Sequence, residues 1–509
     1  MKLSFLRRAC ALALSLCLTA SPALALSLGS TVKVDPDKAI TRNGGVFEGW
    51  GTSLCWWANR LGYCDTLAQL AADAIFGANG LHLNIMRYNI GGGDAPAHRH
   101  ITRTDSAVPG WLRWDEAAQA YTYDYAADAN QINVMRRAVQ AAGKDAMVEV
   151  FSNSPPYFMT ESGCSSGAAK ATNNNLREDA VENFAEYLAH VTDYIKNELG
   201  MPVVSLSPMN EPNSDYWQAM SPKQEGCHVD AGQRQSSILE ATADAMARYD
   251  LGGVLLAASD ETNPQRQAEA FKGYSPKAKK ALGRVNTHTY SDKGARQLAK
   301  LTQQDGMGLW MSEVDGAGTA GKNAGEMSAA LWLGQKIIAD ITALSPSAWV
   351  MWQVIDSHIC AEGYNGNRDT GMVDVNGGFW GTSVADHDQK EIVLTQKYYG
   401  FGQFTRYIRP GSTLIPCNKN ALAAYDPDAQ TLAVVLINPT DKDKTLSLDL
   451  SAFAIEGSAV EAFRTSGSMA SGEHWAPVQG VTAQDSRIDA PLKANSITTL
   501  IVDCRLLPS

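Results

Sequence analysis

The chain has 509 residues, a formal net charge of −11, and 45% hydrophobic and 19% charged residues. This length allows one large domain and a smaller one, and the composition excludes an intrinsically disordered protein. The acidic balance disfavours binding to nucleic acid or to anionic lipid. We therefore expect a monomeric globular protein whose partner is neutral or cationic, with no nucleic acid and no membrane.

The N-terminus is predicted to be a secretory signal peptide of 25 residues. Lys2, Arg7 and Arg8 form a positive start, an apolar stretch follows, and an Ala-x-Ala cleavage motif ends at Ala25. No later run approaches the roughly 18 apolar residues that a transmembrane helix needs. Cleavage near Ala25 predicts a secreted protein, either extracellular or periplasmic.

Strand-like apolar runs then alternate with helical patterns. Eight such runs begin at Phe47, Leu83, Ala146, Val203, Val254, Arg284, Gly308 and Ser347. Apolar residues at steps of three and four predict helices within residues 130–143, 176–199 and 324–344. A doubly wound sheet fits locally, but it lacks a glycine-rich phosphate loop after the first strand. The alternation therefore favours an α/β fold, a (β/α)₈ TIM barrel.

The pattern changes near Lys397 to short alternating runs bounded by turn residues. This pattern predicts an antiparallel β-sandwich, to which the early strand from Thr31 can add. We expect an N-terminal strand segment over residues 26–45, a catalytic barrel over 46–396 and a β-sandwich domain over 397–509.

Two glutamates stand where predicted barrel strands end. Glu211 follows Asn210 at the end of the fourth strand, and Glu313 ends the seventh. Functional residues of a barrel lie at the carboxyl ends of its strands, and paired carboxylates are what glycoside hydrolysis requires. Either glutamate alone could form an ordinary salt bridge, and Glu261 is the alternative carboxylate if the strand count is wrong.

The motifs resemble a known family at this point. "SPMNEP" and "LWMSEVDG", preceded by "GWGTSLCWWA" and "RYNIGGG", resemble glycoside hydrolase family 30, and "FSNSPPYFMTESGCSSG" resembles its endo-β-1,6-galactanase branch. The resemblance covers nearly the whole mature chain. It implies a retaining enzyme without a cofactor.

The resemblance also implies roles for individual residues. Glu313 matches the nucleophile and Glu211 the acid/base, while Asn210 matches the residue that binds the sugar 2-hydroxyl. Arg87 matches the residue that keeps the nucleophile ionised, although a structural ion pair is the alternative. Two further residues resemble ones that line the site, His288 and Tyr290, and a hydrogen-bonded core histidine is the alternative for His288.

Other candidates for sugar binding follow predicted strand ends. Flat aromatic rings bind the apolar faces of pyranoses, although any single tryptophan could instead serve packing. From the aromatics Trp56, Trp57, Tyr157, Trp217, Trp352 and Trp380 we select Trp56, Trp217 and Trp352. Polar groups for sugar hydroxyls are expected from Asn153, Ser154, Asp260 and Glu261.

Seven cysteines remain after signal cleavage, an odd number. The pairs Cys55–Cys64 and Cys417–Cys504 are expected as disulfides, although the sequence does not fix the pairing.

No metal site is expected. No cysteine spacing matches zinc ligands, and His98 and His100 need partners that the sequence does not identify.

The sequence thus predicts a secreted retaining glycosidase that cleaves β-1,6-galactan side chains of arabinogalactan, with endo action. Alternatives within the family are an exo-acting galactobiohydrolase, a β-1,6-glucanase and a xylanase. A non-catalytic carbohydrate-binding homologue is the alternative from another class.

Overall fold

The computed structural model describes residues 31–103, 106–316, 326–362 and 380–508. The strands of the first part of the chain are β1 (Thr31–Lys33), β2 (Gly49–Ser53), β3 (Ile85–Asn89), β4 (Leu112–Asp115), β5 (Ala120–Tyr123), β6 (Met147–Phe151), β7 (Val203–Ser207), β8 (Leu255–Glu261), β9 (Arg284–His288), β10 (Gly308–Glu313), β11 (Ala348–Met351), β12 (Ile355–Ile359), β13 (Ser383–Asp386) and β14 (Glu391–Leu394).

Eight of these strands form a closed parallel barrel in the order β10, β11, β2, β3, β6, β7, β8, β9. Each of the eight predicted runs contains one barrel strand, so the predicted (β/α)₈ fold is confirmed. Two elements were not predicted: the β4–β5 hairpin and a small sheet formed by β12, β13 and β14.

The α-helices of the described residues are α1 (Trp57–Leu61), α2 (Asp65–Ile75), α3 (Ala129–Ala142), α4 (Val181–Asp193), α5 (Gln233–Met246), α6 (Pro264–Gly273), α7 (Pro276–Ala281), α8 (Ala295–Gln304), α9 (Met327–Leu344) and α10 (Gln396–Thr405). In α4 the buried residues include Phe184, Leu188 and Val191, which recur at helical spacing and face the barrel. Within the described ranges, no helix combines the length and apolarity needed to cross a bilayer.

The barrel interior changes from apolar to charged along its strands. Ile85, Trp310 and Val350 form a buried cluster low in the barrel. Because side chains alternate along a strand, Arg87 lies two residues beyond Ile85 on the same inward face, one layer higher. Polar chemistry is therefore concentrated at the carboxyl end of the barrel.

The C-terminal strands are β15 (Thr413–Asn418), β16 (Ala421–Asp426), β17 (Thr431–Asn438), β18 (Lys444–Asp449), β19 (Phe453–Ile455), β20 (Glu461–Ser466), β21 (Glu473–Pro477), β22 (Ala483–Gln484), β23 (Arg487–Leu492) and β24 (Ser496–Leu506). They form a larger sheet with the path β15-β16-β17-β24-β20-β21 and a smaller one with the order β1-β18-β23-β22.

Strand β1 pairs with β18 in parallel register, with Val32 opposite Leu448. The prediction that the N-terminal strand joins the C-terminal β-domain is therefore confirmed. The domain boundaries near residues 45 and 396 stay a prediction, and helix α10 lies across the second of them and packs against α9.

The predicted disulfides are wrong. Cys55, Cys64, Cys417 and Cys504 all carry free thiols. Cys417 lies on β15 and Cys504 on β24, and β16 and β17 separate these strands. Three strand spacings are about 14 Å, twice the roughly 7 Å that a disulfide spans between Cα atoms. Helix α1 likewise lies between Cys55 and Cys64 in the chain.

Candidate active site

Two glutamates meet at the carboxyl end of the barrel. One carboxylate oxygen of Glu211 and one of Glu313 lie within 4.8 Å of each other, together with a ring nitrogen of His288. Glu211 is 8% exposed and Glu313 3% exposed. Glu211 follows β7 and Glu313 ends β10, and β8 and β9 separate these two strands in the barrel.

Irregular backbone conformations direct the side chains of Glu211 and Glu313 toward the barrel mouth. Strand β7 ends at Ser207, earlier than the predicted end at Asn210, and Glu211 stands in the following loop with a left-handed φ of 48°. In β10 the pairing with β9 shifts register between Met311 and Glu313. Such a bulge redirects the side chain that follows it, so Glu313 faces the mouth although simple alternation from Trp310 would point it outward.

Glu313 is surrounded by donors. Arg87 Nη1 donates to Oε2 at 3.1 Å, and the Tyr290 hydroxyl donates to Oε1 at 3.0 Å. Burial raises the pKa of Glu313, while the positive charges of His288 and Arg87 oppose that increase. Burial and the neighbouring Glu313 raise the pKa of Tyr290, so its hydroxyl remains a donor.

Arg87 connects Glu313 to a buried charged network below it. Its guanidinium lies 2.9 Å from Glu149 Oε1 and 3.1 Å from Asp260 Oδ1. Burial alone would lower the pKa of Arg87, but the three surrounding carboxylates raise it. Arg284 in turn contacts Glu149, so every charge in the network has a partner of opposite sign.

His288, at the end of β9, lies between the two glutamates. Its Nδ1 is 3.1 Å from Glu211 Oε1 and 3.4 Å from Glu313 Oε1. Burial lowers the pKa of His288, but Glu313, Asp260 and Glu211 more than compensate and raise it to about 10. These carboxylates therefore favour the protonated ring, whose Nδ1 donates to Glu211.

The loop after β7 holds Glu211 in place. The Tyr216 hydroxyl donates to Glu211 Oε2, and the Trp217 indole donates to the Glu211 carbonyl at 3.0 Å. The Glu211 amide donates to the Asp260 carbonyl at 2.8 Å. Tyr216 is 48% exposed, whereas Trp217 is buried. Trp217 thus lies behind the loop, with its indole nitrogen bonded to the loop backbone.

Trp56 and Trp352 form an edge-to-face pair with ring centroids 5.0 Å apart. Both belong to a small buried cluster with Phe151, against which Trp380 also packs. The Arg103 guanidinium lies over the Trp56 ring at 4.6 Å. Trp57, by contrast, is buried in the main core and bonds the Ser53 carbonyl.

Two amides at the site keep an unused acceptor. Within the described residues, Asn153 Oδ1 and Asn210 Oδ1 are buried without a hydrogen-bond partner, as is Trp56 Nε1. An unsatisfied buried polar atom is costly unless a ligand or water completes it. These three atoms are therefore available to hydroxyl groups of a bound molecule.

Glu261, the alternative carboxylate, lies away from the pair. Its Oε1 accepts from Gln235 of helix α5 at 2.9 Å, and its Oε2 accepts from the Asn213 amide at 3.3 Å. Burial raises the pKa of Glu261 to about 7. Its neighbour Asp260 instead turns into the barrel and accepts from Ser207 at 2.6 Å.

The sequence analysis missed three contributors. Glu149 was hidden in the middle of an apolar run, and Tyr216 stood beside the more conspicuous Trp217. Lys397 forms a buried ion pair of 2.6 Å with Asp315, two residues after Glu313. For Glu149, the signal in the sequence was an isolated charge inside an apolar run, because such a charge requires a buried partner.

The chain is similar to known glycosidases. A family model described as "O-Glycosyl hydrolase family 30" matches residues 34–249. An endo-beta-1,6-galactanase of Hypocrea rufa is 30% identical over 86% of this chain and 88% of its own length. An exo-beta-1,6-galactobiohydrolase of Bifidobacterium longum subsp. longum is 28% identical over 80% of this chain, which spans about a third (34%) of that longer protein.

A solved structure has the same fold. The family 30 subfamily 8 xylanase from Clostridium acetobutylicum superposes with a TM-score of 0.65 at 18% identity, over 94% of this chain and 100% of that one. The fold, the facing carboxylates and the similarity to the galactanase of Hypocrea rufa all support one family assignment. The chain belongs to glycoside hydrolase family 30 and is an O-glycosyl hydrolase.

Proposed function

We propose that the protein hydrolyses β-1,6-galactan within the chain and retains the configuration of the anomeric carbon. The observation that carries this proposal is the approach of Glu211 and Glu313 to within 4.8 Å. Retaining enzymes place their two carboxyl groups about 5–5.5 Å apart, whereas inverting enzymes leave room for a water molecule.

The surroundings of the two groups support different roles. Arg87 contacts Glu313 and keeps negative charge on it. Two carboxylates this close do not both ionise easily, and the donors that surround Glu313 favour it as the charged member of the pair. Glu313 is then the nucleophile, and Glu211 is the acid and later the base.

The reaction has two displacements. An oxygen of Glu313 bonds to the anomeric carbon while the glycosidic bond breaks, and Glu211 gives its proton to the departing oxygen. A water molecule then attacks the same carbon, Glu211 takes a proton from it, and the bond to Glu313 breaks. Tyr290 and His288 donate hydrogen bonds to Glu313 when its charge returns.

The substrate is inferred from the relatives and from the unused polar atoms. The names of both relatives specify β-1,6-linked galactosyl units. Asn153, Asn210 and Trp56 offer unsatisfied polar atoms for sugar hydroxyls beside an aromatic ring. Export after cleavage near Ala25 belongs to the same proposal, and N-terminal sequencing of the mature protein tests it.

The test is a time course on β-1,6-galactan with the wild type and with Glu313→Gln. We expect the wild type to release a ladder of oligosaccharides, with the β-anomer appearing first by NMR, and the variant to lose about 10⁴-fold or more in activity. Glu261→Gln is the matched control, because that buried carboxylate faces helix α5, and it should keep most of the activity.

Each other outcome has a distinct meaning. Release of a single disaccharide as the product from the earliest times would show that the enzyme is exo-acting and not endo-acting. Cleavage of β-1,6-glucan or xylan but not galactan would overturn the substrate and leave the mechanism. Binding without cleavage of any of these polymers would support the non-catalytic alternative and overturn the proposal.

A further inference from the structure

A second group of polar side chains lies beside the active-site mouth. It consists of Asp94, His98, His100 and Cys164, and one candidate ligand atom from each lies within 4.8 Å of the others. Asp94 and the histidines follow β3, whereas Cys164 follows β6. The fold therefore supplies the partners for His98 and His100 that the sequence did not identify. We call this group the loop cluster.

The hydrogen bonds of His100 define its chemistry. Its Nδ1 lies 2.7 Å from the Ser221 carbonyl, which can only accept, so Nδ1 carries the hydrogen. The other nitrogen, Nε2, lies 2.6 Å from Asp94 Oδ2 and 3.3 Å from Cys164 Sγ. In the neutral ring this nitrogen presents a lone pair toward a carboxylate and a sulfur. The contact with the Asp94 carboxylate is repulsive in that form, and either a proton on Nε2 or a bound cation removes the repulsion.

The hydrogen bond from His100 Nδ1 to the Ser221 carbonyl is of the kind that metal-binding histidines make. A ligating histidine typically donates its second N–H to a backbone carbonyl or carboxylate, which fixes the tautomer and orients the ring. The other ligands are also positioned. The Ala95 and Ser165 amides donate to Asp94 Oδ1 at 2.9 and 3.2 Å, and the Met220 amide donates to Cys164 Sγ at 3.4 Å.

We propose that the loop cluster is a zinc site formed by Asp94, His98, His100 and Cys164. One thiolate, two imidazoles and one carboxylate are ligand types that Zn²⁺ binds in tetrahedral geometry. His98 Nδ1 lies 3.1 Å from Asp94 Oδ1, near the roughly 3.3 Å between neighbouring ligands of tetrahedral zinc. The Asp94–His100 contact of 2.6 Å needs to open by about 0.7 Å.

The site is partly enclosed yet accessible. Cys164 is buried, and the side chains of His100, Asp94 and His98 are 8%, 16% and 26% exposed. Asp94, His98 and His100 line a cavity of about 950 Å³, through which an ion can enter. Binding releases the thiol proton of Cys164 to solvent, because the thiolate is the ligand.

The bound ion would connect three loops of the barrel mouth. Residues 94–100 follow β3, Cys164 follows β6, and the Ser221 carbonyl that orients His100 follows β7, in the same loop as Glu211. Zinc here is therefore a structural ion that fixes the wall beside the catalytic pair. It takes no part in the proposed hydrolysis.

The test measures zinc bound to the purified full chain after treatment with EDTA and repletion with ZnCl₂. We expect one tightly bound zinc per wild-type chain, and a melting temperature that rises with zinc. Cys164→Ser and Asp94→Asn should each weaken zinc binding by at least about tenfold. With Co²⁺ instead of zinc, the wild type should show a thiolate charge-transfer band that Cys164→Ser abolishes.

Two controls separate this site from others. Cys227→Ser changes another buried free cysteine and should bind zinc as the wild type does. Glu313→Gln changes the catalytic group and should also keep its zinc. The proposal is overturned if the wild type takes up no zinc and does not gain stability, since the cluster would then be an ion pair between Asp94 and imidazolium rings. Equal zinc affinity in Cys164→Ser and the wild type would overturn it as well.

Discussion

The upper barrel has a charged interior, whereas the β-sandwich has an apolar one. Beneath Glu211 and Glu313 lie four buried charged residues, all at most 2% exposed: Arg87, Glu149, Asp260 and Arg284. Between the two sheets of the sandwich lie aliphatic side chains such as those of Val32, Leu448 and Ile488. Buried ion pairs are a weak source of stability, whereas apolar burial is a strong one. The charged interior at the barrel mouth therefore contributes little to stability but positions the functional groups. The apolar interior of the sandwich contributes to stability and holds no functional group.

The first test of this comparison removes the acid/base. Glu211→Ala should reduce kcat on galactan by about 10²–10⁴-fold, because the departing oxygen loses its proton donor. Activity on an activated aryl galactoside should fall less, since that leaving group needs no proton, and azide should restore turnover. An equal loss on both substrates, without rescue, would contradict the assignment of Glu211.

The second test removes charge from the network. Arg87→Met removes a cationic partner that three buried carboxylates share, so we expect a loss of about 3–5 kcal/mol in the free energy of unfolding. The pKa of Glu313 should rise, and the acidic limb of the kcat/KM profile should move to higher pH.

The matched control for Arg87→Met lies in the sandwich. Arg464 donates to Glu473 at 2.7 Å, and Arg464→Met should leave the pH profile unchanged. A shift of similar size in both variants would show that the network has no special connection to catalysis.

The third test weakens the sandwich. Leu448→Ala deletes a fully buried side chain between the sheets and should cost about 2–5 kcal/mol of stability. At 25 °C the kcat/KM of the folded variant should equal that of the wild type. Denaturant unfolding and steady-state kinetics measure both quantities, and a changed kcat/KM would contradict the separation of the two regions.

The smallest expected effect is the pH dependence of stability caused by Glu261. Burial raises its pKa from 4.5 to about 7 in the folded state. The folded protein therefore binds this proton more tightly than the unfolded chain, and the contribution to stability falls as pH rises from about 4.5 to 7. Glu261→Gln should flatten the profile, by up to about 3 kcal/mol across that range. Identical slopes for variant and wild type would contradict the raised pKa.

Much of the fold followed from periodicity. The apolar runs gave all eight barrel strands because parallel strands are buried on both faces and read as continuous apolar segments. Glu211 and Glu313 were found because each stands at or near the end of such a run, whereas Arg87, His288 and Tyr290 were identified by the family resemblance. Strand ends were less reliable: the run from Val203 continued past Ser207, where the strand stops.

What the sequence could not provide was contact between distant loops. Tyr216 bonds Glu211 because of a loop conformation that no pattern encodes. Cys164 approaches His100 from a position 64 residues away. The prediction of a Cys417–Cys504 disulfide was wrong for the same reason, because the sequence did not show that two strands lie between these cysteines.

The most direct test of the central claim is to trap the covalent intermediate. A 2-deoxy-2-fluoro galactoside with an activated leaving group should inactivate the wild type, because the fluorine slows both displacements while the leaving group speeds only the first, so the intermediate accumulates. Peptide mass spectrometry should then place one fluorosugar on Glu313. A label on Glu211 would reverse the two roles, and turnover without any label, together with release of the α-anomer first, would contradict a retaining mechanism.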